Sequence, residues 1–135
     1  MDIDQQIATS LGFPKSQYMS VERERRWLAR DIPRERVAQT ETIIDLYVTG
    51  AKLRLREARP IDGGAPMLRL SRKAEVDART HLITSIYLPE EEFALLARSL
   101  PGVRIKKLRH QLQPLPGVSL LVDEFQGELA GLLLA

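Results

Sequence analysis

At 135 residues, 44% of them hydrophobic and 28% charged, the chain has the size and composition of one globular domain and no room for a second. It has no cysteine, which excludes a disulfide framework and thiolate metal sites and agrees with a reducing cytoplasm. No apolar run approaches the roughly 20 residues of a membrane span, and a formal charge of +2 does not by itself announce a nucleic-acid partner, so the placement of the charges matters more than their sum.

The start, Met1-Asp2-Ile3-Asp4, is acidic where a secretory signal would be basic. Residues 1–20 read as an accessory arm with a short helix, Asp4 to Leu11, ended by Gly12-Phe13-Pro14. Next comes the most unusual stretch, Val21-Glu22-Arg23-Glu24-Arg25-Arg26-Trp27-Leu28, predicted to be a strand that ends near Ala29. Successive side chains of an extended chain point to opposite faces, so Glu22, Glu24 and Arg26 share one face, and Val21, Arg23, Arg25 and Trp27 the other. Two carboxylates and a guanidinium in line suit a divalent cation beside a bound anion, because hard cations take oxygen ligands. A solvated edge strand explains the same pattern.

Thr40–Thr49 and Lys52–Arg56 are predicted strands joined as a hairpin through Thr49-Gly50. Leu53 and Leu55 face one way; Lys52, Arg54 and Arg56 face the other. Met67–Lys73 alternates again, and Thr80–Leu88 reads as a further strand. Pro89, followed by Glu90, Glu91 and Glu92, starts a helix that presents Phe93, Leu96 and Leu100 on one face and stops at Pro101-Gly102. Val103–His110 and Val118–Phe125 are predicted strands, and Leu129–Ala135 runs apolar to the end. Seven or eight short-linked strands with one clear helix predict a mainly β (α+β) antiparallel sheet curling into a barrel. Several strands carry a cationic face, which a barrel can turn inward around a wet cavity. Trp27 and Phe93 read as core residues, His81 and His110 as solvated or packing residues, and Asp45 as either a tunnel or a surface group.

Glu-x-Glu-x-Arg at 22, 24 and 26, with an aromatic and Leu28 after it, resembles the ExExK signature of CYTH domains, the triphosphate tunnel metalloenzyme superfamily. That superfamily contains class IV adenylate cyclases, thiamine triphosphatase, inorganic tripolyphosphatases and fungal-type RNA triphosphatases. Further stretches follow in the family's order: Ile43–Tyr47, Leu53-Arg54-Leu55-Arg56, Leu70-Ser71-Arg72-Lys73, Ile105–Arg109, and Asp123 with Phe125, Gly127 and Ala130-Gly131-Leu132. The similarity covers residues 20–135, so the domain is placed at 21–135.

The resemblance implies an eight-stranded tunnel-type barrel with flanking helices. Arg26, Arg54, Arg56, Lys73, Lys107 and Arg109 would grip phosphate oxygens, and Glu22, Glu24 and Asp123 would hold Mg²⁺ or Mn²⁺. Glu22, Glu24 and Arg26 would form the catalytic set for hydrolysis of a triphosphate-bearing small molecule. Cyclisation of ATP to cyclic AMP and non-catalytic binding of a polyphosphate or phospho-ligand are the alternatives. Few aromatics are available to stack bases, so nucleic acid is not the expected partner, and neither is a membrane. A homodimer is compatible with the sequence.

Three positions depart from the family pattern. Arg26 replaces a lysine, which keeps the charge but changes its geometry. Thr80–Leu88 offers Ile83, Ser85 and Tyr87 where the family places glutamates. The family's final Glu-x-Glu pair would fall beyond Ala135, which leads to the expectation of an incompletely closed barrel, an exposed strand edge and a weak metal site.

Overall fold

The computed structural model describes residues 3–135; Met1 and Asp2, the start of the predicted arm, lie outside the described residues. The elements follow in the order α1 (Gln5–Ser10), β1 (Ser20–Arg23), β2 (Val37–Val48), β3 (Leu53–Pro60), β4 (Met67–Asp77), β5 (Thr80–Tyr87), α2 (Glu90–Ser99), β6 (Gly102–Leu112), β7 (Leu121–Phe125) and β8 (Leu133–Leu134). All eight strands join one antiparallel sheet in the order β1-β5-β4-β3-β2-β6-β7-β8.

The register decides what the sheet encloses. Residues directly opposite one another in an antiparallel pair project to the same side. Asp45 faces Arg56, Arg56 faces Arg69, and Arg69 faces Tyr87. Lys73 faces Ile83, and His81 faces Glu22 across β5 and β1. On the other flank Ile43 faces Lys107, and Arg109 faces Asp123. One continuous side of the sheet therefore carries the glutamates and most of the strand cations, and it is the concave side. Asp45, Arg56, Lys107 and Asp123 are buried there despite their charge.

The convex side carries the apolar clusters and is covered in part. The side chain of Asp4 accepts from the Gln6 amide at 2.8 Å and caps α1, the preferred way to satisfy an orphan donor at a helix start. Ala8 and Phe13 then pack on Ala74 of β4 and Leu82 of β5. Burial of Phe13 and Leu82 contributes about 1.5–3 kcal/mol each. Arg72 ties the same segment down: its guanidinium donates to the Leu11 carbonyl at 2.7 Å and lies 4.9 Å from the Phe13 ring centroid. At the other end Ile32 packs with Leu112 and Val122. The stripe of Phe93 and Leu96 on α2, continued by Leu100 at its C-cap, is half-buried, and α2 lies against β3 and β4.

The predicted strand Val21–Ala29 is shorter than the alternation suggested. Regular pairing stops at Arg23, and the chain then leaves the ladder until Leu28 bridges Leu134. There the Trp27 amide donates to the Ala135 carbonyl at 3.1 Å, the Ala135 amide donates back at 2.8 Å, and the Ala29 amide donates to Leu133 at 3.0 Å. The same segment thus touches both ends of the sheet, but one bridge is not a ladder, and the curled sheet forms the incompletely closed barrel expected from the sequence. Other strands are longer than their hydrophobic runs: β2 begins at Val37, β3 reaches Pro60 and β4 reaches Asp77. β7 begins only at Leu121, because residues 115–118 are spent on a turn bridged from Leu115 to Val118.

Candidate functional site

A cavity of about 610 Å³ opens on the concave side and is lined by Glu24, Arg25, Arg26, Trp27, Tyr47, Arg54, Lys73, Ala78, Arg79 and His81. Its volume falls within the range of small-molecule sites, roughly 300–1,000 Å³. Glu24, Arg26, Arg54 and Lys73, four of the residues singled out from the sequence, meet here.

The acidic corner of the cavity is held by Lys73. Its ammonium lies 2.7 Å from Glu22 Oε1 and 3.5 Å from Glu24 Oε1, and Arg26 Nη2 lies 3.2 Å from the same Glu24 oxygen. Burial pushes the Glu24 carboxyl up, but the charges of Lys73 and Arg26 outweigh it and hold the group below its ordinary value. Glu24 is thus a carboxylate at neutral pH and an electrostatic partner rather than a proton store. Beside this corner, on the neighbouring strand, Arg54 contributes a guanidinium whose Nε is buried without a hydrogen-bond partner. Burial and then the neighbouring Arg56 charge lower its pKa. The lining sets the Glu24 carboxylate against Arg25, Arg26, Arg54, Lys73 and Arg79, so it is cationic.

The adjoining wall is arranged differently. Arg56 grips Asp45 in a two-pronged pair at 2.7 and 2.8 Å. Arg109 grips Asp123 in the same way at 2.9 and 3.0 Å, and Lys107 Nζ stands 2.9 Å from Asp123 Oδ2. Asp123 therefore faces two cations. Burial raises its pKa, but the Arg109 hydrogen bonds and charge and then Lys107 bring it below the ordinary value. Burial lowers the Lys107 pKa, only partly offset by Asp123; for Arg109 the Asp123 bond and charge win over burial and raise it. One carboxylate shared by two cations leaves this cluster with a net positive charge.

Both oxygens of Asp123 are thus committed to cations. Among the described residues no three histidine, aspartate or glutamate side chains form a group able to hold a metal ion. Glu22 and Glu24 supply two carboxylates in one place, which fits a magnesium-type cation that takes one or two protein carboxylates and completes its shell with phosphate oxygens and water.

Several cavity residues lay outside the sequence reading. Arg79 and Ala78 belong to the β4–β5 turn, where no spacing marks them. Arg25 was assigned to the face opposite Glu24 and Arg26, yet it lines the cavity with both, because the chain after Arg23 is not a regular strand. Trp27, read as a core residue, is 59% exposed at the cavity rim. His81 lines the cavity with its Nδ1 buried and without a hydrogen-bond partner. His110 lies on the convex side, buried between Thr40 and Glu124 at 2.9 Å from each. Asp45 is fully buried, which removes the surface reading of that residue.

The fold has counterparts among solved structures. The PH1819 protein from Pyrococcus horikoshii OT3 superposes with a TM-score of 0.64 at 22% identity, over 87% of this chain and 75% of that one. The inorganic triphosphatase NE1496 superposes with a TM-score of 0.50 at 22% identity, over 84% of this chain and 72% of that one. A second structure of NE1496 gives 0.52 at 20% identity, over 86% and 72%. The chain shares its fold with these proteins over more than four-fifths of its length. No protein-family model matches it, and neither does any curated protein. Among the described residues no helix is long and apolar enough to cross a membrane.

Proposed function

We propose that the chain hydrolyses a triphosphate-bearing small molecule (inorganic tripolyphosphate, thiamine triphosphate or a nucleoside triphosphate) in a reaction that depends on Mg²⁺ or Mn²⁺. The observation that carries this reading is the cavity itself: Arg54, whose Nε has no hydrogen-bond partner, lines it together with a corner where Glu22 and Glu24 converge on Lys73. The likeness to a protein called an inorganic triphosphatase supports it.

Glu22 and Glu24 would hold the divalent cation beside the phosphate oxygens, where it would neutralise charge that develops as the bridging bond breaks. The rest falls to the chain's own residues. Arg54 and Arg26 would grip phosphate oxygens through planar forks, and Lys73 would contribute a point charge. Phosphoryl transfer demands mainly positioning and charge stabilisation, which a rigid cationic wall provides. The oxygen of water bonds to the terminal phosphorus as the bridging P–O bond breaks, giving orthophosphate and the shortened phosphate chain. Arg56, Lys107 and Arg109 would extend the positive field from the adjoining wall. We place this activity in the cytoplasm, in keeping with a cysteine-free chain, and in a domain spanning residues 21–135.

The test is phosphate release from tripolyphosphate and from ATP, with Mg²⁺ and with Mn²⁺, beside a Glu22→Ala, Glu24→Ala double variant. The expected result is metal-dependent release in the parent and loss of at least about a hundredfold in the variant. Cyclic AMP in place of phosphate from ATP would make the chain a cyclase. One observation favours a second reading, a polyphosphate-binding module without turnover: Asp123, the expected third metal ligand, is held by Arg109 and Lys107. Metal-independent binding with no product of either kind would establish it.

A further inference from the structure

Beyond the cavity lining the concave side carries Arg56 and Arg109, each held by an aspartate, and a further arginine, Arg69. Arg69 sits on β4, two residues from Ser71 and four from Lys73, directly opposite Arg56. Its Nε is buried and has no hydrogen-bond partner, and among the described residues it makes no ion pair. Arg54, directly opposite Ser71, shows the same orphaned Nε. A native structure leaves few such donors unsatisfied, and each costs free energy until an acceptor arrives.

Among the described residues, no carboxylate opposite Arg54 or Arg69 in the register is left to accept. Asp45 is the carboxylate nearest these arginines in the register, and Arg56 takes both of its oxygens. Across β5 the row offers only Tyr87 and Ser85. Three guanidiniums thus face one spent carboxylate, and the Arg69 charge is among those that lower the Arg54 pKa. Arg54 and Arg69 are diagonal neighbours across an antiparallel pair, about 7–8 Å apart at that spacing, within reach of two long side chains converging on one tetrahedral anion. Beside them, Ser71 and Ser85 share a 2.6 Å hydrogen bond, which uses one hydroxyl hydrogen and leaves the other for an acceptor.

We propose that Arg54 and Arg69, with the Ser71–Ser85 pair, form an oxyanion subsite at the far end of the cationic row that begins at Lys73, and that it takes the phosphate of a bound chain farthest from Glu22 and Glu24. This rests on the tunnel binding phosphate, but not on its hydrolysing it. Arg69 is thereby a specificity residue: it rewards a chain long enough to reach from Lys73.

Calorimetric titration of the parent, Arg69→Met and Arg69→Lys with tripolyphosphate and orthophosphate at one low ionic strength tests this, with thermal unfolding of each ligand-free protein. The Met variant is expected to bind tripolyphosphate roughly tenfold or more weakly, with the Lys variant between it and the parent. Its ligand-free melting temperature should hold or rise, because an unpaired cation has been removed from a like-charged cluster. Tripolyphosphate affinity within twofold of the parent would overturn the subsite. So would a clear drop in the ligand-free melting temperature together with equal weakening toward both anions, the mark of a packing residue, or a parent that binds no phosphate at all. A parent that binds tripolyphosphate tightly but releases no phosphate would refute the hydrolytic reading and leave the subsite standing.

Discussion

Asp45 of β2 and Arg56 of β3 stand directly opposite each other and close a two-pronged ion pair, with Asp45 fully buried and Arg56 4% exposed. Such a pair is a weak source of net stability, yet removing one partner strands a buried charge. Asp45→Ala is expected to cost about 3–5 kcal/mol in urea unfolding. The double variant Asp45→Leu, Arg56→Leu should cost clearly less than that single change. Equal losses would mean that the pair contributes more than its desolvation takes away.

Acid should act on the second carboxylate. The folded-state pKa of Asp123 lies below its ordinary value of 3.8, so ionised Asp123 favours the folded state. That contribution is complete at neutral pH and fades as pH falls below about 4 and through the depressed folded value. Glu24, lowered in the same direction but less buried, should add a smaller effect of the same sign. The melting temperature of the parent is therefore expected to fall between pH 5 and pH 2 on this account. Asp123→Asn should start lower at pH 7 and show a shallower acid slope; an unchanged slope would refute the assignment.

Trp27 offers a direct optical readout. It is the chain's single tryptophan, and it stands exposed on the cavity rim. Tripolyphosphate binding should change its emission in a saturable way, with a midpoint matching the calorimetric one. Trp27→Phe should leave stability within about 0.5 kcal/mol of the parent, as expected for an exposed position. A saturating ligand that leaves the emission untouched would place the bound anion away from this rim.

The barrel was legible because its strands alternate in hydrophobic character. Leu55 against Arg54 and Arg56 sets the inside and outside of β3 from two-residue periodicity alone, and the register then carries that assignment to Arg69, Lys73 and Lys107. What alternation cannot reveal is where a strand stops. Charged residues on both faces of 21–28 fit a continuing ladder as well as a departure from it. Only the structure shows Arg25, Arg26 and Trp27, three consecutive residues, lining one cavity, which a regular strand cannot do. Nor does a sequence state how charges divide among partners. Arg56 and Arg109 look like Arg54 on paper, and the first two are held by aspartates from neighbouring strands.

The narrow seam between Leu28 and Leu134 has a kinetic corollary. The loop bearing Arg25, Arg26 and Trp27 is fixed on one side by the Glu24 backbone amide donating to the Arg79 carbonyl, and on the other by the exchange of backbone hydrogen bonds between Trp27 and Ala135. That second anchor joins positions separated by nearly the whole chain, the kind of contact whose loop-closure entropy delays its formation. On a ribosome, the strands bearing Lys73 and Arg54 emerge and can pair well before residues 133–135 exist. The rim of the cavity is thus set last, and a nascent chain would display the cationic wall as an open trough before it has a mouth.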